Sequence, residues 1–285
     1  MITQQWTTRG SLKDTLGGIT THHRSVSQLT SYAGCGEAYR LERVAKVPQT
    51  PAAWFAQGTA VHEAVERWER TYREHSPEQA QAWYYDAWER EIEAALAVEP
   101  DLSKWQAPGR TKPDTDLKNR MVRGADQVAG YIAYALQDRL APIEYEPGEP
   151  STEVPFTLDL DGVRVIGSID LILADRHGRL LVRDIKTGSR LPTSPIQLAV
   201  YAVAVEDLLG DRPFWGDYFM CKNNAPTDPI PLRNFTREDV ARWFVQMDRS
   251  EKAGNYLPNP GDRCKTCGVR RYCSVMGSDR TFFSP

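Results

Sequence analysis

Asp170, in GSIDLILAD, and Asp184 with Lys186, in RDIKTG, are the residues of this 285-residue chain best placed to do chemistry. Side chains alternate faces along a strand, so Asp184 and Lys186, two apart, point the same way. With a turn centred near His177, Asp170 falls opposite Asp184 to within a residue on the partner strand. The flanking residues are apolar (VIGSI, LIL, LLV). Two carboxylates side by side in such a hairpin repel each other and resist desolvation unless a cation lies between them. Oxygen ligands favour Mg²⁺ or Mn²⁺, and a lysine two residues along can orient an attacking water or neutralise charge on a phosphate. Taken alone, the same acids could equally face solvent in cross-strand salt bridges.

The cysteines form the second constellation. Cys264-x₂-Cys267-x₅-Cys273 is too tightly spaced for disulfides, and CxxC without an export signal points to metal or redox chemistry. Redox chemistry of the thioredoxin kind needs a CxxC that opens a helix after a strand, and this one follows a Pro/Gly/Asn loop. Three thiolates leave a tetrahedral site one ligand short; Cys35 can supply the fourth, and Cys221 stands apart. Four thiolates suit zinc or an iron–sulfur cluster. Arg263, Lys265, Arg270 and Arg271 share the segment with no acid between Arg263 and Cys273, so it could also contact phosphate; a solvated basic loop is the plainer account.

The elements that must position these groups read as follows. Residues 1–22 have no periodicity and predict a flexible arm. A short helix starts at Ser25 or Ser27 and carries Cys35 near its far end, and Pro48 and Pro51 then break the chain. Helical spacing runs over Ala52 to about Glu74, Pro77 to about Val98 and Asp114 to about Leu140, a helical lobe over 52–146. After Pro150 the pattern becomes an antiparallel meander: EVPFTLDL, VRVIGSIDLILAD and LLVRDIKTG, turning at Asp161-Gly162 and at 176–179. Ser194-Pro195 opens another helix, FWGDYFMCKN returns as a strand, and Thr236 to Asp239 resemble a capping box for a helix ending near Lys252. The core thus spans 150–252, and the tail 253–285 closes onto Cys35, giving one domain over 23–285.

In this order, GTAVH (Gly58 to His62), Glu153 in EVPF, Gly167 to Asp170, Asp184-Ile185-Lys186, and Gln197 with Tyr201 resemble the RecB-like branch of the PD-(D/E)xK nuclease superfamily, from about Ser25 to Cys273, which implies that the domain over 23–285 is a single nuclease domain. That branch includes the nuclease domains of RecB and AddB and CRISPR-associated exonucleases. The resemblance implies a restriction-endonuclease-like α/β core: a mixed sheet of about five strands flanked by helices. It implies metal ligands at His62, Asp170, Asp184 and the Ile185 carbonyl, with Lys186 catalytic. Gln197 and Tyr201 match the branch's QxxxY motif and share one helical face, where they could reach substrate or position the lysine. Glu153 is a further candidate at the site. The proline that precedes the first acid in the superfamily's name is here Ile169. One cysteine near the N-terminus and three near the C-terminus is the branch's pattern for a [4Fe-4S] cluster, with Zn²⁺ as the alternative. Each residue also has a bland account: a helical histidine at the surface, a strand-edge acid at 153, and packing for Gln197 and Tyr201.

Composition excludes little. The net charge of −3 offers no global field for a polyanion, so any nucleic-acid contact must be local. No stretch of eighteen apolar residues predicts a membrane span and no secretory signal is apparent, which reads as cytoplasmic; no GxxxxGK[ST] loop encodes an ATP-driven motor. The expectation is a Mg²⁺- or Mn²⁺-dependent DNA exonuclease working on single strands in repair or recombination, with unwinding left to a separate helicase or recombination partner. Two other readings stand beside it: a non-catalytic nucleic-acid-binding or adaptor protein on the same fold, and a zinc-stabilised nuclease.

Overall fold

In a computed structural model, residues 23–278 are described. The arm expected over residues 1–22 lies outside the described residues. Helices α1 (Val26–Gly34) and α2 (Gly36–Tyr39) lead into a short π-helical turn (Arg40–Val44). Helices α3 (Ala53–Arg70), α4 (Pro77–Val98) and α5 (Pro113–Ala135) follow. Next come β1 (Ala141–Pro142), β2 (Glu144–Glu146), β3 (Glu149–Pro150), β4 (Thr152–Leu160), β5 (Val163–Ala174) and β6 (Leu180–Lys186). The chain continues through α6 (Ile196–Leu209), β7 (Trp215–Met220), β8 (Ala225–Pro226), β9 (Ile230–Pro231) and α7 (Arg237–Lys252).

The sheet is mixed, as expected. β4, β5 and β6 form an antiparallel meander; α6 then crosses over so that β7 lies parallel to β6. The two-residue strands β1, β8 and β9 sit at its margins, on β5 and β7. Asp161 (φ +52°) and Gly162 (φ +81°) turn β4 into β5 through the left-handed region that a two-residue hairpin of this twist requires.

Each face of the sheet buries one apolar cluster. On one side, Val154, Phe156, Leu158 and Val182 pack against the all-apolar run of α6 and the inner face of α7. On the other, Leu171, Leu173, Ile185 and Phe219 pack against α3, α4 and α5. Thr236 caps α7 in a reciprocal capping box with Asp239, as the sequence predicts.

Two helices stop short of their expected ends. α3 ends at Arg70 because Tyr72 and Arg73 take positive φ (+54° and +64°), and Arg73 turns back to bond Glu69 and the Ala135 carbonyl. α5 ends at Ala135 because Asp138 is drawn out of the helix to pair with Arg183 at 2.8 Å.

Candidate metal centre and cysteine clasp

Strand alternation fails at the site. Along β5, Val163, Val165 and Ile169 face the α6 side, yet Ile172 does too, while Leu171 and Leu173 face the lobe; the period slips between Ile169 and Asp170. β4 slips opposite it. Thr152 pairs with Leu171 and Val154 with Ile169, and Glu153 between them adopts φ +46°. A non-glycine residue held there costs about 1–3 kcal/mol, and such strain collects at functional sites. The slip gathers Glu153 and Asp170 at one point on the sheet.

α3 supplies the third group. His62 Nδ1 lies 3.5 Å from Glu153 Oε1 and 3.6 Å from Asp170 Oδ2, and Nε2 lies 3.0 Å from the Ile185 carbonyl. His62, Glu153 and Asp170 each offer a ligand atom within 4.8 Å of the other two, a triplet of donors that could hold a metal. The register Leu171↔Arg183 and Ile172↔Val182, carried one step further, puts Asp170 opposite Asp184, and Ile185 N–H donates to Asp170 Oδ2 at 2.8 Å. Asp184 lies beside the triplet rather than within it. Lys186 Nζ is 2.7 Å from Asp184 Oδ2 but off the direction a hydrogen bond requires, so this buried oxygen faces a cation without a hydrogen bond of its own.

A relay of hydrogen bonds ties the lysine to the acids. Lys186 Nζ donates to Gln197 Oε1 (2.8 Å), Gln197 Nε2 to Tyr201 Oη (2.9 Å), and the Tyr201 hydroxyl to Asp170 Oδ1 (3.1 Å). The i, i+4 spacing on α6 places both links on one face. Burial pushes Asp170 up to about 7, aided by the neighbouring Asp184 charge and against the pull of His62. Burial also raises Asp184, against Lys186. For His62 burial is the largest influence and works downward, yet Asp170 and Glu153 together outweigh it and hold the imidazole up at about 9. Glu153 is lowered: burial opposes the shift, and its hydrogen bond and attraction to His62 prevail. Acids crowded this way form a site with an excess of negative charge that a divalent cation would neutralise.

The second constellation lies at the C-terminal end of α1. Gly36 packs on the backbone of Leu257 so closely that a Cβ would stand 2.8 Å from its nitrogen, and Gly36 N–H donates to the Leu257 carbonyl. That approach brings Cys35 beside the tail, where Asn259 N–H donates to its Sγ at 3.3 Å. Cys35, Cys264, Cys267 and Cys273 border one cavity of about 260 Å³, with Arg263 and Arg270 at its margin. Cys221 is buried elsewhere, in the lobe-side core, where burial pushes its thiol up to about 12.

Two arrangements escaped the sequence. Arg183, one residue before Asp184, turns to the opposite face and is bound by Asp217 (2.7 Å) and Asp138 (2.8 Å), anchoring β6 to β7 and the lobe. A charge inside an apolar strand was its only signal. The second is a buried amide chain: Gln57 Nε2 donates to Gln127 Oε1 (2.7 Å), and Gln127 Nε2 to the Thr187 carbonyl (3.0 Å), bracing the residue after Lys186. Nothing in the sequence marked it.

A mixed sheet with β-strand acids and a following lysine defines a class of metal-dependent nuclease cores. The chain belongs to the PD-(D/E)XK nuclease superfamily, whose family profile matches residues 23–274. It is similar to the gene 69 protein of Mycobacterium phage L5, 35% identical over 89% of this chain and 96% of that protein. The gene 69 protein of Mycobacterium phage D29 is 36% identical over 89% and 97%. This chain also aligns, at a TM-score of 0.45 and 17% identity over 87% of its length and 88% of the other, with the crystal structure of a protein from Eubacterium rectale named as a candidate exonuclease. The family membership supports a hydrolytic nuclease that acts on DNA, in a superfamily that uses divalent metals. No helix among the described residues is long and apolar enough to cross a membrane.

Proposed function

We propose that this protein is a Mg²⁺- or Mn²⁺-dependent exodeoxyribonuclease of the RecB-like branch, acting on single-stranded DNA and closed by a structural [4Fe-4S] cluster. The observation that carries the catalytic reading is the donor triplet of His62, Glu153 and Asp170 with the Ile185 carbonyl against the imidazole. These hard donors suit a divalent ion, which when bound supplies Lewis-acid activation and charge neutralisation for phosphodiester hydrolysis. His62, Asp170 and the Ile185 carbonyl would hold it, with Glu153 as a fourth donor and Asp184 alongside. Lys186, 28% exposed, is the cation that faces incoming phosphate; Asp184 and Gln197 fix its position, so its charge is already oriented when the transition state develops. Tyr201 and Gln197 link that position to Asp170, so lysine and acid respond as a unit.

The cysteines support a cluster over a single zinc ion. Among the described residues no three sulfurs come within 4.8 Å of one another, and they surround open space. Four bonds of about 2.3 Å to one zinc would draw the sulfurs to about 4 Å apart. In this reading 23–285 work as one unit, with the lobe over 52–146 roofing the core at 150–252 and the tail 253–285 locked onto Cys35. Repair or recombination, a separate helicase and a cytoplasmic setting belong to the same proposal.

Incubating end-labelled single strands with Mn²⁺ tests it. Wild-type protein should shorten them progressively, and Asp184→Ala and Lys186→Ala should each lose at least a hundredfold in rate. Cutting that persists in both variants rejects the mechanism; clean protein that binds DNA yet never cuts favours the adaptor reading. Brown, anaerobically purified protein containing iron supports the cluster, and colourless protein with one zinc per chain reverses that assignment.

A further inference from the structure

Phe55 is 54% exposed at the start of α3, although phenylalanine is a costly residue to leave in water. It stands seven residues before His62, so the two share a helical face about 10 Å apart along the axis. Between them that face carries Gly58 and Thr59, the first half-buried against the Thr187 hydroxyl and the second exposed, so the side chains along the path are small. Phe55 is also braced from below. Its ring centroid lies 5.7 Å from that of Trp54, and the Arg120 guanidinium sits 5.4 Å from the Trp54 centroid, locked there by Asp116 (2.7 Å) and Gln57 Oε1 (2.8 Å).

Beyond Phe55 the same surface runs on to the cysteine clasp. Thr50 N–H donates to the Gly268 carbonyl and Gln106 N–H to the Pro51 carbonyl, both at 2.9 Å. The first contact borders the segment with exposed Arg270 and Arg271; the second lies within the α4–α5 connection, which carries exposed Arg110 and Lys112. An aromatic ledge between a phosphate-cleaving centre and basic borders has the composition of a single-strand site, where bases stack on rings and cations follow the backbone.

We infer that Phe55, seated on Trp54 and Arg120, is the stacking platform for an unpaired base of the strand whose phosphodiester lies at His62. This rests on the nuclease reading above and adds to it the chemical feature by which single strands are selected: an exposed base face, which duplex DNA does not offer.

The test is fluorescence anisotropy with a labelled oligothymidylate, and with a duplex of equal length, in Ca²⁺ with full-length protein. Phe55→Ala and Phe55→Leu should each weaken single-strand binding about tenfold, and Phe55→Trp should restore it. Duplex binding should stay within twofold. Phe214→Ala is the control, because Phe214 is equally exposed (59%) but precedes β7 at the end of the sheet remote from Lys186. Wild-type affinity in Phe55→Leu would overturn stacking, and equal loss on duplex would overturn the selection of unpaired bases. Wild-type protein that binds the strand but leaves it uncut in Mn²⁺ would defeat the nuclease reading, whereas the affinity series decides the platform separately.

Discussion

Asp170 is satisfied and frustrated at once: Tyr201 and the Ile185 amide bond both its oxygens, yet Asp184 stands opposite and little water reaches it. Its folded pKa of about 7 lies above the unfolded value of about 3.9. The stabilisation linked to its proton is therefore complete below about pH 3.9 and lost as pH rises through 7. His62, held up at about 9, adds stability that is complete below about pH 6.5 and lost as pH rises through 9. Metal-free protein should thus melt at progressively lower temperature from pH 6 to pH 9. Mn²⁺ should reverse much of that loss, because it binds the deprotonated groups. Asp170→Asn can keep the Ile185 hydrogen bond through Oδ1 and, with its direction reversed, a bond from Nδ2 to the Tyr201 oxygen, and it removes the repulsion. Its melting temperature at pH 8 without metal should exceed wild type by several degrees, and its response to Mn²⁺ should vanish; scanning fluorimetry at three pH values reads both. The identities of Asp170, Asp184, Lys186, Gln197 and Tyr201 as site candidates were legible because each has chemistry that an apolar strand or helix does not need. The convergence of Glu153 on His62 was not, because it depends on a period slip and a positive φ that no residue type announces.

At the scale of elements, β6 is the pivot. Its even positions face α6 with Asp184 and Lys186, and Arg183 between them holds the strand to β7 and the lobe through two carboxylates. Arg183 and Asp217 are both nearly inaccessible, so removing the arginine strands buried charge. Arg183→Leu should lose about 3–5 kcal/mol in chemical denaturation, and the added change Asp217→Leu should recover part of it; a single variant as stable as wild type would refute the anchor role. Element types were readable where local chemistry was strong: the Asp161-Gly162 turn, the Thr236 capping box and Pro77 at the start of α4. Helix ends were misjudged where tertiary partners prevailed, as when Asp138 leaves α5 for Arg183.

Over the whole molecule, two constellations stand apart. The acids and imidazole sit where lobe and sheet meet, and the four thiols gather where α1 meets the tail. A buried ionic tie runs alongside the thiols: Arg24, 1% exposed, bonds Asp248 and Glu251 of α7 and pairs with β5 through its backbone. With that tie intact, Cys35→Ala should abolish the visible absorption expected of the proposed cluster and make the tail beyond residue 255 sensitive to protease, while leaving the sheet folded by circular dichroism. Collapse of all secondary structure in Cys35→Ala would show the clasp to be the foundation of the fold instead. The grouping of Cys35 with the three tail cysteines was legible from their spacing; the close approach of Gly36 to Leu257 that seats Cys35 was not.

The central claim is that an imidazole from α3 and the acids of β4 and β5 trap one divalent ion. Electron paramagnetic resonance of free Mn²⁺, titrated into full-length protein at pH 8, reads it directly. Wild type should bind Mn²⁺ at a site that His62→Ala and Asp170→Asn each weaken at least tenfold and that Glu153→Ala weakens measurably. Undiminished binding in both His62→Ala and Asp170→Asn would contradict the claim.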